Sequence, residues 1–321
     1  MPVIGGLLIS WCSALPQMSR EQAEWHVRGM NAVPRYGREA TLWSLMAQDA
    51  ELIRAIGNPT TNRATAAINE VKRRNRPALL QAVADAMPRG NEAFGMNALW
   101  LFTKVGGTFA LRNIERACKH PVPEVRWSAA AKAAEWGFAG ARPVLIEAVK
   151  ADRAGFGGLA VVGKPQDIPI LRAYYKRHLN DPKQYGVNGS WGALLTMCRM
   201  GDGWSAGEVR RHIDRSQDHF RQIEAMNALA VRKEKSDLER FVKLLKHKHM
   251  AVRFAAVEAL GRLGSQSAVP ALRSMAKTPG PDRLNAPGGE PLGREYAIYV
   301  AEMLEARRTP MLFKPWRLAN R

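Results

Sequence analysis

Two distant segments of the chain share one pattern of residues. The stretches VRWSAAAKAAEWG (125–137) and VRFAAVEALGRLG (252–264) both begin with Val-Arg and an aromatic residue, continue with small residues and end in glycine. Self-similarity of this kind indicates a protein built from structural repeats. A single helical repeat cannot bury its apolar face alone, so the pattern restricts the chain to folds in which neighbouring copies stack on one another.

Weaker copies of the pattern fall in the same phase, at intervals of about 30 to 34 residues. They are MNAL at 96–99 and 226–229, the small residues around Ala160, GALLTMCRMG near Leu194 and YAIYVAEML around Ile298. The last interval is longer, about 41 residues, and contains PGPDRLNAPGGEPL (279–292). We interpret this proline- and glycine-rich stretch as an insertion between two repeats.

Each copy reads as a pair of helices. In the clearest copy, Ser236 with Glu239 forms a capping-box pattern at the start of a first helix, and 247–249 makes the turn. A second helix then follows, with Gly264 at the position of a left-handed C-cap. Its predicted apolar stripe consists of Val252, Ala255, Ala256, Ala259, Leu260 and Leu263. The sequence therefore predicts an all-α fold, an α-solenoid of stacked helical hairpins.

The V-R-x-A-A-x-x-A-L-G pattern of 252–261 resembles the HEAT-like repeats of the phycobilisome-lyase type, and 125–134 is a weaker copy. The resemblance extends over 59–307 as a periodicity and implies an armadillo-type superhelix. Such repeats often have an acidic turn before Val-Arg. Glu124 fits that pattern, whereas His-Lys-His-Met (247–250) makes the second turn basic. Lyase activity is implied only by the name of the repeat.

Three regions follow from these patterns. We expect residues 1–58 to form an N-terminal segment with capping helices, and 59–307 to form the repeat solenoid with its insertion at 279–292. Residues 308–321 contain two prolines and no acidic residue, and we expect them to form a basic extended tail.

The charge of the chain is strongly positive. Lysine and arginine total 48 against 29 acidic residues, which gives a formal net charge of +19. A solenoid places equivalent turns along one edge, so repeated cations can form a stripe that attracts a polyanion. We predict binding of DNA, RNA or an acidic protein surface by ten residues: Lys72, Arg73, Arg74, Arg76, Arg210, Arg211, Arg215, Lys243, Lys246 and Lys248.

Other conspicuous residues are predicted to have structural roles. Arg126 and Arg253 follow the repeat, so we expect them to reach back to the preceding turn. GFGGLA (155–160) lacks the strand that a dinucleotide fingerprint requires, and we interpret it as a tightly packed helix. Ser190 is expected to be a helix N-cap. We expect five tryptophans to lie in the core, namely Trp100, Trp127, Trp136, Trp191 and Trp204.

No catalytic constellation stands out. The three cysteines Cys12, Cys118 and Cys198 are far apart, and no H-E-x-x-H is present, so we predict no metal, no cofactor and no catalytic residue. The favoured function is a non-enzymatic scaffold with a basic surface. One alternative is a DNA glycosylase for alkylated bases, because glycosylases with HEAT-like repeats are similar in helical content and basicity. That enzyme would need aromatic residues and an acid such as Asp152, Asp202 or Asp214. Another alternative is a purely protein-binding adaptor.

No stretch of the sequence is long and apolar enough to predict a membrane span. The sparse, odd number of cysteines favours a cytoplasmic location. The alternative is export, because residues 1–19 carry no charged side chain and could act as a signal segment. The sequence does not predict an oligomeric state.

Overall fold

The computed structural model describes residues 19–20, 22–23, 35–59, 62–153, 155–180, 189–277, 292–308 and 310. The predicted insertion at 279–292, apart from its last residue, lies outside the described residues. So do the candidate signal segment, apart from Ser19, and the predicted tail, apart from Arg308 and Pro310.

The described residues are all-α, with seventeen α-helices and no β-strand. The predicted fold class is therefore confirmed. The helices are α1 (Arg35–Met46), α2 (Asp49–Ile56), α3 (Asn62–Arg74), α4 (Pro77–Ala86), α5 (Glu92–Val105), α6 (Gly107–Ala117), α7 (Pro123–Glu135), α8 (Arg142–Lys150), α9 (Phe156–Val162), α10 (Ile168–His178), α11 (Ser190–Arg199), α12 (Gly203–Arg215), α13 (His219–Arg232), α14 (Leu238–Leu244), α15 (Met250–Leu263), α16 (Val269–Lys277) and α17 (Leu292–Glu305).

The chain divides into two compact units. The first comprises the described residues of 19–151 and 157–162, and the second comprises those of 152–156 and 163–310. In the first unit, α3, α5 and α7 pack side by side, with α6 against α7. In the second unit, α11, α13, α15 and α17 form the continuous row, and α10, α12, α14 and α16 each pack on the helix that follows. Each unit is thus a stack of helical hairpins, as the repeat predicted.

The clearest repeat follows the predicted pattern in its second helix. All six residues of the predicted apolar stripe of α15 are buried, and Gly264 ends the helix with a φ of 72°. The predicted capping box is wrong, because α14 begins at Leu238, after a 3-10 turn over Lys235–Asp237. Ser190 is likewise the first residue of α11 rather than its N-cap, which is Gly189.

Glycine permits a close approach of two helices in the first unit. A Cβ atom on Gly95 of α5 would lie 2.6 Å from Cγ2 of Val125, the first residue of the repeated Val-Arg pair in α7. Because real Cβ atoms do not approach other atoms so closely, only glycine fits against the Val125 side chain at this separation. The GFGGLA segment is also helical, as predicted, within α9.

Arginine–aspartate pairs join successive hairpins of the second unit. Arg172 Nη2 of α10 lies 2.7 Å from Oδ1 of Asp202, the N-cap residue of α12. Arg210 Nε of α12 lies 2.7 Å from Oδ1 of Asp237, in the turn before α14. We call these two pairs the arginine ladder. The carboxylate of Asp237 is only 1% exposed, so its pairing with a cation offsets a large desolvation cost.

Candidate functional site

Arg74 cannot contact an external polyanion, and its inclusion among the predicted binding residues is wrong. Its side chain is 1% exposed. Nη1 lies 2.8 Å from Asp49 Oδ1, Nε lies 2.7 Å from Glu70 Oε1, and Nη2 donates to the carbonyl oxygen of Ala47 at 2.7 Å. The guanidinium therefore satisfies carbonyl oxygens at the C-terminal end of α1, in the interior of the first unit.

The other predicted cations at the end of α3 are more exposed than Arg74, but two of them pair with acidic residues of the chain. Arg73 lies 2.6 Å from Glu70, and Arg76 is paired with Asp49. Lys72 is exposed. Of this predicted basic cluster, Lys72 is therefore the residue most available to a partner.

Arg210 is also held within the fold. Its guanidinium contacts both Asp237 and Glu234, and the hydrogen bond with Asp237 is the main cause of its raised pKa. Arg210 is thus part of the arginine ladder, and in its predicted role in anion binding it would have to share its charge with these two acids. Arg211 is exposed but is paired with Glu208, one helical turn away.

Four predicted residues are both exposed and without a carboxylate partner in the part of the chain that the structure describes. Arg215 ends α12, Lys243 lies in the last turn of α14, and Lys246 and Lys248 lie in the connection to α15. We call these four residues the basic edge. Asp218, the acid that caps α13, pairs with Arg221 at 3.4 Å.

The turn before each Val-Arg pair has the same internal hydrogen bonds in both clear repeats. Arg253 Nη1 donates to the carbonyl oxygens of His247 (2.8 Å) and Lys248 (3.2 Å). Arg126 Nη1 donates to those of His120 (3.3 Å) and Pro121 (3.1 Å), and Arg126 also pairs with Glu147 at 2.5 Å. The predicted structural role of both arginines is confirmed.

A histidine in each turn completes this geometry. Nδ1 of His247 accepts a hydrogen bond from the backbone N–H of His249, and Nδ1 of His120 accepts one from Val122, both at 3.1 Å. Neither histidine was among the residues predicted from the sequence. The available signal was a Lys-His pair at 119–120 and at 246–247, which ends six residues before the arginine in each copy.

Four aromatic rings lie in succession beside the basic edge. The ring of Phe220 is 4.2 Å from that of His219, His219 stacks on His249 at 4.6 Å, and His249 stacks on His247 at 5.6 Å. We call these four residues the aromatic row. The contact between His219 and His249 brings the α12–α13 connection next to the α14–α15 turn, so two equivalent turns are adjacent, as the solenoid predicted.

The electrostatics of the row favour neutral imidazole at His247. Burial lowers the pKa of His247, and the nearby charges of His249, Lys248 and Arg253 lower it further. Its Nδ1 is occupied as an acceptor, so Nε2 carries the proton of the neutral ring.

Of the five tryptophans predicted to lie in the core, one is buried and three are exposed. The fifth, Trp127, is half-buried and donates from Nε1 to Glu147 Oε1 at 3.1 Å. Trp191 is buried and donates from Nε1 to Glu224 Oε2 at 2.7 Å. Trp100, Trp136 and Trp204 are 39%, 45% and 41% exposed, so their assignment to the core is wrong. Cations cover two of these rings, because Lys104 Nζ lies 5.7 Å from the Trp100 ring and the Arg172 guanidinium 5.1 Å from the Trp204 ring.

The three acids considered for a glycosylase are each bound by arginine. Asp152 pairs with Arg177 at 2.7 Å, Asp202 with Arg172 at 2.7 Å and Asp214 with Arg240 at 3.0 Å. For Asp202, burial works to raise the pKa, but hydrogen bonds from Ser205 and Arg172 outweigh it and lower the pKa.

Thiol and metal chemistry find no support in the described part of the chain. Burial raises the pKa of Cys118 to about 11 and that of Cys198 to about 12, so both thiols stay protonated at neutral pH. The described residues contain no group of three or more histidine, cysteine or acidic side chains placed to hold a metal ion.

Comparison with protein families identifies the repeat type. Residues 213–286 match the family model for HEAT repeats. The chain carries HEAT-like helical repeats. The matched segment contains α13 to α16, all four residues of the basic edge and the whole aromatic row. Scaffolds of stacked repeats present extended surfaces for binding other macromolecules. No curated protein matches the chain. Among the described helices, none is long and apolar enough to cross a membrane.

Proposed function

We propose that the protein is a non-enzymatic HEAT-repeat scaffold that binds nucleic acid through the basic edge. The observation that carries this proposal is the exposure of Arg215, Lys243, Lys246 and Lys248 on two adjacent turns, with no carboxylate of the described chain to neutralise them. Cations without an acidic partner among the described residues are available to replace the counterions of a phosphate backbone.

The pairing of the other arginines supports this choice of surface. Arg74 and Arg210 are held by buried carboxylates, so they contribute to stability rather than to binding. Lys72 adds an exposed cation in the first unit, and we retain it as a further candidate. Arg73, Arg76 and Arg211 each contact an acid already and would have to share their charge with it.

Contacts of this kind position a nucleic acid without reading its sequence. Lysine ammonium groups bind phosphate oxygens, which are the same for every base. We therefore propose binding to both DNA and RNA, with affinity that falls steeply as salt increases.

Binding of labelled DNA and RNA across a salt series tests the proposal. We expect the logarithm of the affinity to fall linearly with the logarithm of the salt concentration. The triple variant K243Q/K246Q/K248Q should lower the magnitude of that slope by about 2 for a single strand, because each phosphate contact contributes about 0.7. The control variant K119Q/K150Q/K277Q removes an equal number of positive charges, at exposed lysines outside the basic edge. Its salt dependence of binding should equal that of the parent protein.

The outcome separates a local site from general basicity. Equal losses in the two triple variants would mean that only the net charge of +19 matters and that the basic edge is not a site. No binding of the parent protein at low salt would overturn the nucleic-acid proposal. The HEAT-repeat match favours an adaptor for an acidic protein as the second candidate, and that result would support it.

A further inference from the structure

We infer that the aromatic row makes the basic edge selective for single-stranded nucleic acid, with an unpaired base stacked on Phe220. This inference rests on the proposed function and specifies its ligand. It requires an aromatic face open to solvent, cations within the same surface and a reason to exclude duplexes.

Phe220 supplies the open aromatic face. Its side chain is 67% exposed, the highest value among the exposed large hydrophobic residues of the described chain. It is the second residue of α13, and Asp218 caps that helix by accepting hydrogen bonds from the N–H groups of Phe220 and Arg221. The backbone that carries the ring is therefore fixed, so little conformational entropy is lost when a base stacks on it.

The remaining rings connect Phe220 to the cations. His219 lies against Phe220 and stacks on His249 with an angle of 14° between the ring planes. Lys248 lies between His247 and His249 in the sequence, and Lys246 immediately precedes His247. Base stacking and phosphate contacts can thus occur on one continuous surface, the combination by which proteins bind single strands.

The geometry disfavours a duplex at this surface. In a double helix both faces of each base are covered by the neighbouring base pairs, so a duplex would offer only its phosphates to the basic edge. A single strand gains both interactions. An acidic protein surface would also gain only the charge interactions, because it has no nucleobase to stack.

Other exposed aromatic residues do not provide the same combination. Arg172 stands over the Trp204 ring, and Lys104 stands over the Trp100 ring, so a cation of the protein covers each of them. Trp136 is exposed but lies at the end of α7 in the first unit. It therefore serves as a matched control.

The test compares the binding of three probes to the protein at one salt concentration: oligothymidylate, a blunt-ended duplex without a loop and heparin. We expect the parent protein to prefer oligothymidylate. F220A should weaken oligothymidylate binding about 5- to 160-fold, which corresponds to the stacking energy of one base on an aromatic side chain. Binding of the duplex and heparin should not change. F220W should retain the preference, and W136A should behave as the parent protein.

The failure of this inference can be told apart from failure of the proposed function. If the parent protein binds all three probes equally and F220A changes none of them, the single-strand inference is wrong while polyanion binding stands. Equal weakening of all three probes by F220A would also overturn it, because a stacking platform cannot act on heparin. If no probe binds, both proposals fail. A circular dichroism spectrum of F220A identical to that of the parent protein establishes that the variant is folded.

Discussion

Arg253 donates a hydrogen bond from Nη1 to the carbonyl oxygen of His247 at 2.8 Å, across the turn that precedes its own helix. Arg126 has the same relationship to His120. The arginine of each Val-Arg pair thus satisfies carbonyl oxygens of the turn that connects the preceding helix to its own. This explains why a cation recurs at a position that faces the protein's own backbone.

Replacing Arg253 should destabilise the protein through this turn. We expect R253A to lower the free energy of unfolding by about 1.5 to 3 kcal/mol, the usual contribution of hydrogen bonds from a charged group. R253K should recover only part of the loss, because an ammonium lacks the planar fork of the guanidinium. Urea denaturation measures both. K248Q, which changes an exposed side chain in the same turn, is the control. Full stability of R253K would show that charge alone is sufficient.

The arginine ladder gives a second prediction, in which burial determines the size of the effect. Asp237 accepts hydrogen bonds from Arg210 at 2.7 Å and from Arg240 at 3.0 Å. D237N keeps the shape but removes the buried charge, so we expect a loss of roughly 3 kcal/mol in the free energy of unfolding.

The control for D237N is a variant of Asp214, a second aspartate that pairs with Arg240. Asp214 also pairs with Arg240, but its side chain is 53% exposed, so D214N should cost less than about 1 kcal/mol. Guanidinium chloride unfolding distinguishes the two. Similar losses in D237N and D214N would contradict the structural role assigned to Asp237.

Two glycine-to-alanine changes should have opposite effects on the stability of the protein. Alanine at Gly207 of α12 would meet no atom within 4 Å, so G207A should stabilise the protein by about 0.5 to 1 kcal/mol through helix propensity. G95A should destabilise it by about 1 to 3 kcal/mol, because the new methyl group would press on the stiff side chain of Val125.

A double variant identifies Val125 as the cause. In G95A/V125A the obstructing methyl groups are gone, so the two changes together should cost less than the sum of the single changes. Thermal unfolding of the four proteins of this cycle measures the coupling. Additive costs would place the strain of G95A elsewhere.

Stability should decrease on acidification below neutral pH. Burial lowers the pKa of His212, as does the nearby charge of Arg221, while Glu208 opposes them. The pKa of His247 is lowered as well. Between these lowered values and the ordinary value near 6.5, the unfolded chain binds more protons than the folded one. The contribution of these two histidines to the free energy of unfolding is fully present above about pH 6.5 and is lost as the pH falls below that value.

The melting temperature should therefore be lower at pH 5.5 than at pH 7.5. H212Q should reduce that difference, since glutamine cannot be protonated in the unfolded chain. The imidazole of His212 packs edge-to-face on Trp191 at 4.7 Å, and H212Q removes this contact as well. The melting temperature is therefore compared between the two pH values within each protein. If the difference in melting temperature between the two pH values is the same in H212Q, titratable groups other than His212 cause it.

The sequence predicted what depends on local periodicity. The apolar stripe of α15, the left-handed Gly264 and the inward role of Arg253 all follow from residue spacing within one repeat. These features have the same physical cause in every copy, namely the need to bury one face of a hairpin, so a single chain carries enough information to find them.

What the sequence did not predict depends on partners from other helices. Arg210 looked available because its neighbours in α12 are basic, whereas Asp237 lies in the next hairpin. Arg74 is enclosed by acceptors from α1 and α2 in the same way. The stacking of His219 on His249 likewise joins two turns that are distant in sequence. No periodic signal identifies such pairs.

The arginine ladder has a direction, and it ends at a definite hairpin. Arg172 and Arg210 each point to an acid of the following hairpin, but the turn before α16 is Gln266–Ala268, with no carboxylate, and Arg240 pairs back to Asp214 and Asp237. An internal gene duplication of residues 202–232 would therefore supply a copy of Asp202 for the first Arg210, while the second Arg210 would meet Asp237. The chain could change its length by whole hairpins without leaving a buried charge unpaired.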